Sequence, residues 1–352
     1  RRHLLKQELV TLVLRRRRQG RRRKLWVHPI NVLRRELLLD PARHHRYFRM
    51  SAEEIETLLS FVGPDLTKQT TNYRTPIEPK QRLAVTLRLL ASVDSICSLA
   101  FTYRLGFETV SQCIMETCEA IERKMLATHL PRPTVETWRQ TSQEFQEKLD
   151  FPKCLGLVNG KHIRHFLYYK GTFSVVLLAL VDANCRFTAI QVGDFGRNNA
   201  FLPGGKDLGN ISYTMVGDAA FLLKPYLMRP YSGHNISYEK DILNYRLCLA
   251  RMTVEKSFVI LAARWRILYQ KINLLPSKVD TLVVAMCILH NFLTKPCDVE
   301  MWRQQGGAGM RQGMRSIAIQ ANRVGQEAVS VRQKFTKYFI SVEGRIDWLY
   351  IV

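Results

Sequence analysis

Apolar residues recur along this chain with two different periods, and the change falls near residue 150. Up to that point they step by threes and fours, the spacing of one buried helix face. Leu83, Leu87 and Leu90 line one such face, Ile96 to Tyr103 forms a second helix, and a third begins near Glu108 and carries Val110, Cys113, Ile114, Thr117 and Ile121. Leu105-Gly106-Phe107 is the tight turn between the last two. Further upstream, Asn31 to Leu39 reads as a short helix. Ser51-Ala52-Glu53-Glu54 has capping-box spacing, in which the Ser51 hydroxyl and the Glu54 carboxylate each accept from the other's backbone N–H. The helix this box starts, with Ile55, Leu58, Leu59 and Val62 on one face, is expected to end at Gly63-Pro64. Pro131-Arg132-Pro133 then interrupts the pattern, and Thr134 caps a helix running to about Leu149.

Past residue 150 the segments shorten and fill with β-branched and apolar residues. Cys154 to Val158, Phe173 to Val181, Phe187 to Val192 and Tyr213 to Gly217 read as strands. Asp182-Ala183-Asn184 is a hairpin turn, so the second and third strands should be antiparallel neighbours. Three antiparallel strands, a parallel fourth and flanking helices describe a mixed α/β sheet that is not doubly wound. From Asn244 the helical spacing returns: Leu247, Ala250, Val254, Phe258, Leu261, Trp265 and Leu268 define the buried stripe of one long helix. Glu255 lies at the edge of that stripe, about 100° round from Val254. Pro276 opens another helix, Val279 to Phe292; Gln304 to Gly313 reads as a flexible linker, and Val324 to Phe339 as a last amphipathic helix. The chain thus divides into a basic tail (1–24), a helical region (25–133), a sheet-bearing region (134–295), and a linker with a C-terminal helix (296–352).

Composition narrows the function. At 352 residues and 46% hydrophobic the chain can bury two or three cores. Its longest apolar runs, Val175 to Val181 and Leu282 to Leu289, fall far short of the ~20 residues that span a bilayer. No membrane partner is expected, and the arginines that follow Leu9 to Leu14 argue against a secretory signal. Eight cysteines without CxxC or zinc-type spacing read as reduced, buried thiols in a reducing compartment. The formal charge of +23 points to a polyanion, nucleic acid ahead of an anionic membrane. Arg15, Arg16, Arg17, Arg18, Arg21, Arg22, Arg23 and Lys24 concentrate part of it, either as a solvated, disordered tail or as a nuclear-localisation signal or phosphate-binding arm. In so basic a chain, the helices near 83–121 fit a helix-turn-helix that presents Glu108, Thr109, Ser111 and Gln112 to a groove. A plain helical bundle has the same pattern.

The polar punctuation of the strands carries the candidate chemistry. Asn159 follows the first strand, Asp218 follows the fourth, and Glu255 rides on the long helix. Two strand ends and a helix face can meet at one sheet edge, which is where nucleases hold a pair of divalent cations. Each residue also has a plainer reading: Asp218 as a cap, Glu255 as the partner of Arg251 one turn earlier, and His162 and His290 as packing or hydrogen-bonding histidines.

Several stretches in order, Val158-Asn159-Gly160-Lys161-His162-Ile163, Gly217-Asp218 through Leu227, Asn244-Tyr245-Arg246 leading to Val254-Glu255, Ala263 through Leu268, and Cys287-Ile288-Leu289-His290-Asn291, resemble the PIF/Harbinger transposases and the transposase-derived nuclease-like proteins descended from them. The resemblance covers nearly the whole chain after the basic tail. It implies an RNase H-like core behind a helix-turn-helix, with a DDE triad that binds two divalent cations (Mg²⁺ or Mn²⁺) and hydrolyses DNA phosphodiesters. It also implies a nuclear location, shared or not with the cytoplasm, and a Myb-like partner, and leaves a homodimer open. By position the triad falls on Asn159, Asp218 and Glu255.

The chain departs from the family in three places. The first carboxylate is an asparagine, and the segments between His162 and Tyr169 and between Gly193 and Leu208 are short. An amide offers a metal one neutral oxygen and no charge. The expectation is therefore a weak or inactive nuclease, or a catalytically silent nuclear DNA-binding scaffold. Asp182 should sit at the far end of the sheet, whereas Asp194 should reach the same edge as Asn159, one strand further over.

Overall fold

The computed structural model describes residues 40–70, 76–167, 171–193, 213–233, 236–294, 315–316 and 325–345. The basic tail, the Asn31 to Leu39 helix, Asp194 and the Gln304 to Gly313 linker lie outside the described residues.

Among the described residues six helices precede the sheet. They are α1 (Pro41–Phe48), α2 (Ala52–Leu66), α3 (Pro79–Ala91), α4 (Ile96–Tyr103), α5 (Phe107–His129) and α6 (Val135–Leu149). The capping box at Ser51 and Glu54 is present in both directions, and Thr134 accepts from the Thr137 N–H at 3.2 Å. Contrary to expectation, α2 runs through Gly63-Pro64 to Leu66. The Thr67 hydroxyl donates to the Gly63 carbonyl at 2.9 Å in that last turn, and Leu66 is buried, so packing carries the helix past its proline.

The strands are β1 (Cys154–Leu167), β2 (Gly171–Val181), β3 (Phe187–Gly193), β4 (Thr214–Val216), β5 (Leu227–Met228) and β6 (Arg315–Ser316). The sheet order is β3-β2-β1-β4-β5, with β1, β2 and β3 antiparallel and β4 parallel to β1. The antiparallel pairing of the second and third strands and the parallel fourth strand read from the sequence are thus observed. The hairpin turn forms as expected, with Asp182 Oδ1 accepting from the Asn184 and Arg186 N–H groups at 2.8 and 2.9 Å. One boundary differs: β1 does not stop at Val158 but pairs with β2 as far as Leu167, so Asn159 is mid-strand, opposite Ala179. β5 and β6, two residues each, carry too little alternation to be read from sequence.

Helix α7 (Tyr238–Arg264) begins six residues before Asn244, whose side-chain amide bonds the backbone of Tyr231 at both its oxygen and its nitrogen. It also ends earlier than its apolar stripe. Trp265 leaves helical geometry to donate from Nε1 to the Met286 carbonyl at 3.2 Å, and a 3₁₀ turn (Arg266–Tyr269) follows. Then come α8 (Pro276–Leu293) and α9 (Gln326–Ile340). One hydrophobic cluster runs from Phe48 to Phe339, and α5 packs on α8, so the helical region and one face of the sheet share a core. A smaller cluster of Leu155, Val158, Leu180, Met215 and Phe221 fills the other face. Among the described residues no helix is long and apolar enough to cross a membrane.

Candidate functional site

Side chains alternate across a strand, so Leu157, Asn159, Lys161 and Ile163 share one face of β1. Leu157 and Ile163 belong to the main core, which identifies that face as the one carrying α7. The register that aims Asn159 is set just upstream by a bulge at Gly156, where an added Cβ would lie 2.6 Å from Leu180 Cδ1. On its outer edge β1 pairs with β4 up to Leu157 and with β6 at Lys161 and His162. Asn159 and Lys161 therefore lie where that edge passes from one neighbour to the other.

Asn159 is buried at 2% exposure. Its Oδ1 accepts from the Gly160 N–H at 2.8 Å, which fixes the amide's orientation and leaves Nδ2 buried with no hydrogen-bond partner among the described residues. Asp218 follows β4 after Gly217, whose N–H donates to the Met228 carbonyl and where a Cβ would meet the Phe221 ring at 3.0 Å. No helix follows Asp218. Its Oδ1 accepts from the Ala220 N–H at 2.9 Å, which closes a turn. Glu255 accepts from Arg251 at 3.3 Å and is about half exposed.

The residue that relates these groups is Lys161, which sequence reading left unassigned. It is buried, and its ammonium stands 5.9 Å from the centre of the Phe258 ring, one helical turn from Glu255. Burial lowers its pKa, Glu255 and then Asp218 act against that shift, and Arg251 adds to it. The side chain thus lies in the field of both carboxylates. The available signal was positional: a lysine two residues after Asn159 in a strand must share its face.

These residues do not fit a pair of divalent cations. Hard cations take anionic oxygens, and the position that should bridge them presents an amide whose oxygen is already engaged and whose free end is a donor. Glu255 already pairs with Arg251 at 3.3 Å, and Lys161 adds a second cation to the electrostatics of the site. Among the described residues no three His, Cys, Asp or Glu side chains group at metal-binding spacing.

The histidines and the remaining motifs hold the fold. His162 Nδ1 meets Ser174 Oγ at 2.9 Å, and buried His290 Nε2 meets the Cys185 carbonyl at 2.8 Å. Asn291 ties α8 to β3 and α5, accepting from the Phe187 N–H and donating to the Phe187 and His129 carbonyls. Arg264 donates to the carbonyls of His290 and Leu293.

The proposed groove-facing residues divide. Val110 and Ile114 are buried as expected, but so is Ser111, so it is not presented to a groove. It faces inward because α5 packs against α2, α3 and α8 on several sides at once. Thr109 is half-buried, and exposed Gln112 donates to Glu116 at 2.8 Å.

Residues 157–291 match the family model described as DDE superfamily endonuclease, from β1 to the Asn291 clasp. Protein ALP1-like of Arabidopsis thaliana is 25% identical over 333 residues, covering 83% of this chain and 81% of the relative. The Arabidopsis thaliana protein antagonist of like heterochromatin protein 1 is 26% identical over 285 residues, covering 70% of this chain and 72% of the relative. No solved structure matches the chain.

Proposed function

We propose that this chain, whose residues 157–291 match the DDE superfamily endonuclease model, is a transposase-derived nuclear protein that binds DNA and does not cut it. The observation that carries this reading is Asn159: a buried amide, committed to Gly160 through its oxygen, stands where the bridging carboxylate of a two-cation site is needed. The mixed α/β sheet around it, with the asparagine on β1, the aspartate after β4 and the glutamate on α7, is consistent with a DDE nuclease domain. DNA remains the favoured ligand because the chain carries a net +23, part of it in the arginine-rich arm. One relative's printed name describes an antagonist of another protein, a role defined by opposition to a partner instead of by a reaction. That supports a binding function here too.

Helix α5 contributes little of the DNA contact in this reading. Glu108, Glu116, Glu119 and Glu122 lie along its solvent-facing side, and Gln112 is held by Glu116, so only the first turn offers Thr109 and Gln112 to a groove. Phosphate contacts fall instead to the arm: Arg15 to Arg18 and Arg21 to Arg23.

Fluorescence anisotropy with labelled duplex DNA tests the proposal. Binding should be the same within about twofold in chelator and in Mg²⁺, and unchanged by Asp218→Ala or Glu255→Ala. Binding that needs the divalent cation and is lost in either variant would overturn it.

A further inference from the structure

Helix α4 carries no charged side chain, and the fold uses only one of its faces. Leu99 and Tyr103 are buried, the tyrosine hydroxyl donating to the Ala84 carbonyl at 3.3 Å. On the other face Cys97 is exposed and Phe101, one turn later, is 84% exposed, the most of any large apolar side chain among the described residues. Beside this face lies a cleft of about 130 Å³, with room for one large apolar side chain. Ile96, Cys97 and Phe107 line it from α4 and α5, and Ile267, Ile272 and Leu274 from the 3₁₀ turn and the segment after it. Phe107 is itself exposed, as are Val93 and Leu275, which adjoin the cleft residues Asp94 and Leu274 in sequence. An apolar patch gathered on a water-facing surface marks a place where a partner sits. Its rim is cationic. Arg104 caps α4 in the left-handed conformation, Arg266 opens the 3₁₀ turn and Lys271 stands in the cleft lining. All three are exposed, and none forms an ion pair among the described residues. Of the two acids close by, Asp94 is held by Arg88 at 2.9 Å, which leaves Glu108 in the first turn of α5.

We infer that the outer face of α4, the start of α5 and the cleft beside them dock an acidic amphipathic helix of a partner protein. The apolar side of that helix covers Phe101 and Phe107 and sends one side chain into the cleft, while its carboxylates meet Arg104, Arg266 and Lys271. Charge selects this occupant. A second copy would bring another +23 and the same three cations to the face, so like charges would oppose the contact. Duplex DNA would answer the cations with phosphates but would leave two phenylalanines against a polar backbone. An acidic helix with an apolar side satisfies both halves of the surface. The surface lies apart from the arginine arm to which the phosphate contacts were assigned, so a protein and DNA can be bound together.

Fluorescence anisotropy on the full chain tests this with a labelled synthetic helix that carries leucines along one face and glutamates on the other. The unaltered protein should bind it saturably. Phe101→Ser, and separately Arg104→Glu combined with Lys271→Glu, should each weaken binding by about tenfold, and the same peptide with lysines in place of its glutamates should bind about tenfold more weakly. Phe101→Ser should leave the unfolding midpoint within a degree or two, because the ring makes no core contact, and should leave duplex DNA affinity unchanged. No binding by the unaltered protein, or equal binding of the glutamate and lysine peptides, would overturn the inference. So would three other results: a midpoint lowered by several degrees in Phe101→Ser, which would show the face covered by the chain itself; a loss of DNA affinity in that variant, which would make it a DNA contact; and a dimer in analytical ultracentrifugation that the variant turns into a monomer, which would give the face to a second copy.

Discussion

At the scale of single residues, His290 joins the β2–β3 turn to α8 through the Cys185 carbonyl, and its Nδ1 is buried with no hydrogen-bond partner among the described residues. Burial, helped by the neighbouring Arg264, pushes its pKa down to about 3. The folded state therefore withholds a proton that the unfolded chain takes up below about pH 6.5. Its contribution to stability is full above that pH and is lost as the pH falls toward 3. Between pH 7 and pH 5 the unaltered protein should lose about 2 kcal/mol more stability than His290→Gln, measured by chemical denaturation. Equal losses would mean that the imidazole is not held neutral. Asp182 works the other way, since burial raises it to about 6 despite its two backbone N–H donors, and it is common to both proteins. Asn159 and His290 could be singled out from sequence because a polar residue that interrupts an apolar run is conspicuous. Lys161 escaped because a lysine near a strand edge reads as solvated, and only the pairing of β1 beyond Val158 shows it to be enclosed.

At the scale of elements, periodicity located every described helix of eleven or more residues, because each has a continuous buried face. It misjudged ends where a side chain overrode local propensity: Thr67 and Leu66 at the end of α2, Asn244 within α7, Trp265 beyond it. The C-terminal helix α9 shows what such a face contributes. Phe335 and Phe339 pack on Phe151 beside the start of β1, and Arg246 of α7 lies 4.7 Å over the Phe339 ring. Phe339→Ala should cost about 3 to 5 kcal/mol in equilibrium unfolding, the range for a fully buried aromatic. A cost under 1 kcal/mol would show that α9 does not support the sheet. For α5, Gln112→Ala removes only a surface bond to Glu116, so it should leave the unfolding midpoint within a degree or two. A change in DNA sequence preference in that variant would restore α5 as a groove-reading helix.

At the scale of the whole molecule, the proposed DNA binding draws its affinity from the excess positive charge of +23. Binding through phosphates releases counterions, so affinity should fall steeply with salt, and removal of residues 1–24 should reduce both the affinity and the slope of its salt dependence. An unchanged slope would show that the arm makes no phosphate contact. The pairing of β2 with β3 was legible in the chain because hairpin chemistry is local. The surroundings of Asn159 were not, because they depend on which side chains are brought together across β1, β4 and α7.

The central claim is that a nuclease fold is retained without the means to hold catalytic metal, and nicking of supercoiled plasmid by the full-length chain in Mg²⁺ or Mn²⁺ tests it most directly. The predicted result is no conversion to nicked circles above that seen without protein, at concentrations where the same preparation shifts the DNA. Metal-dependent nicking that chelator stops and Asp218→Ala abolishes would contradict it, because Asp218 would then be holding a working cation despite Asn159.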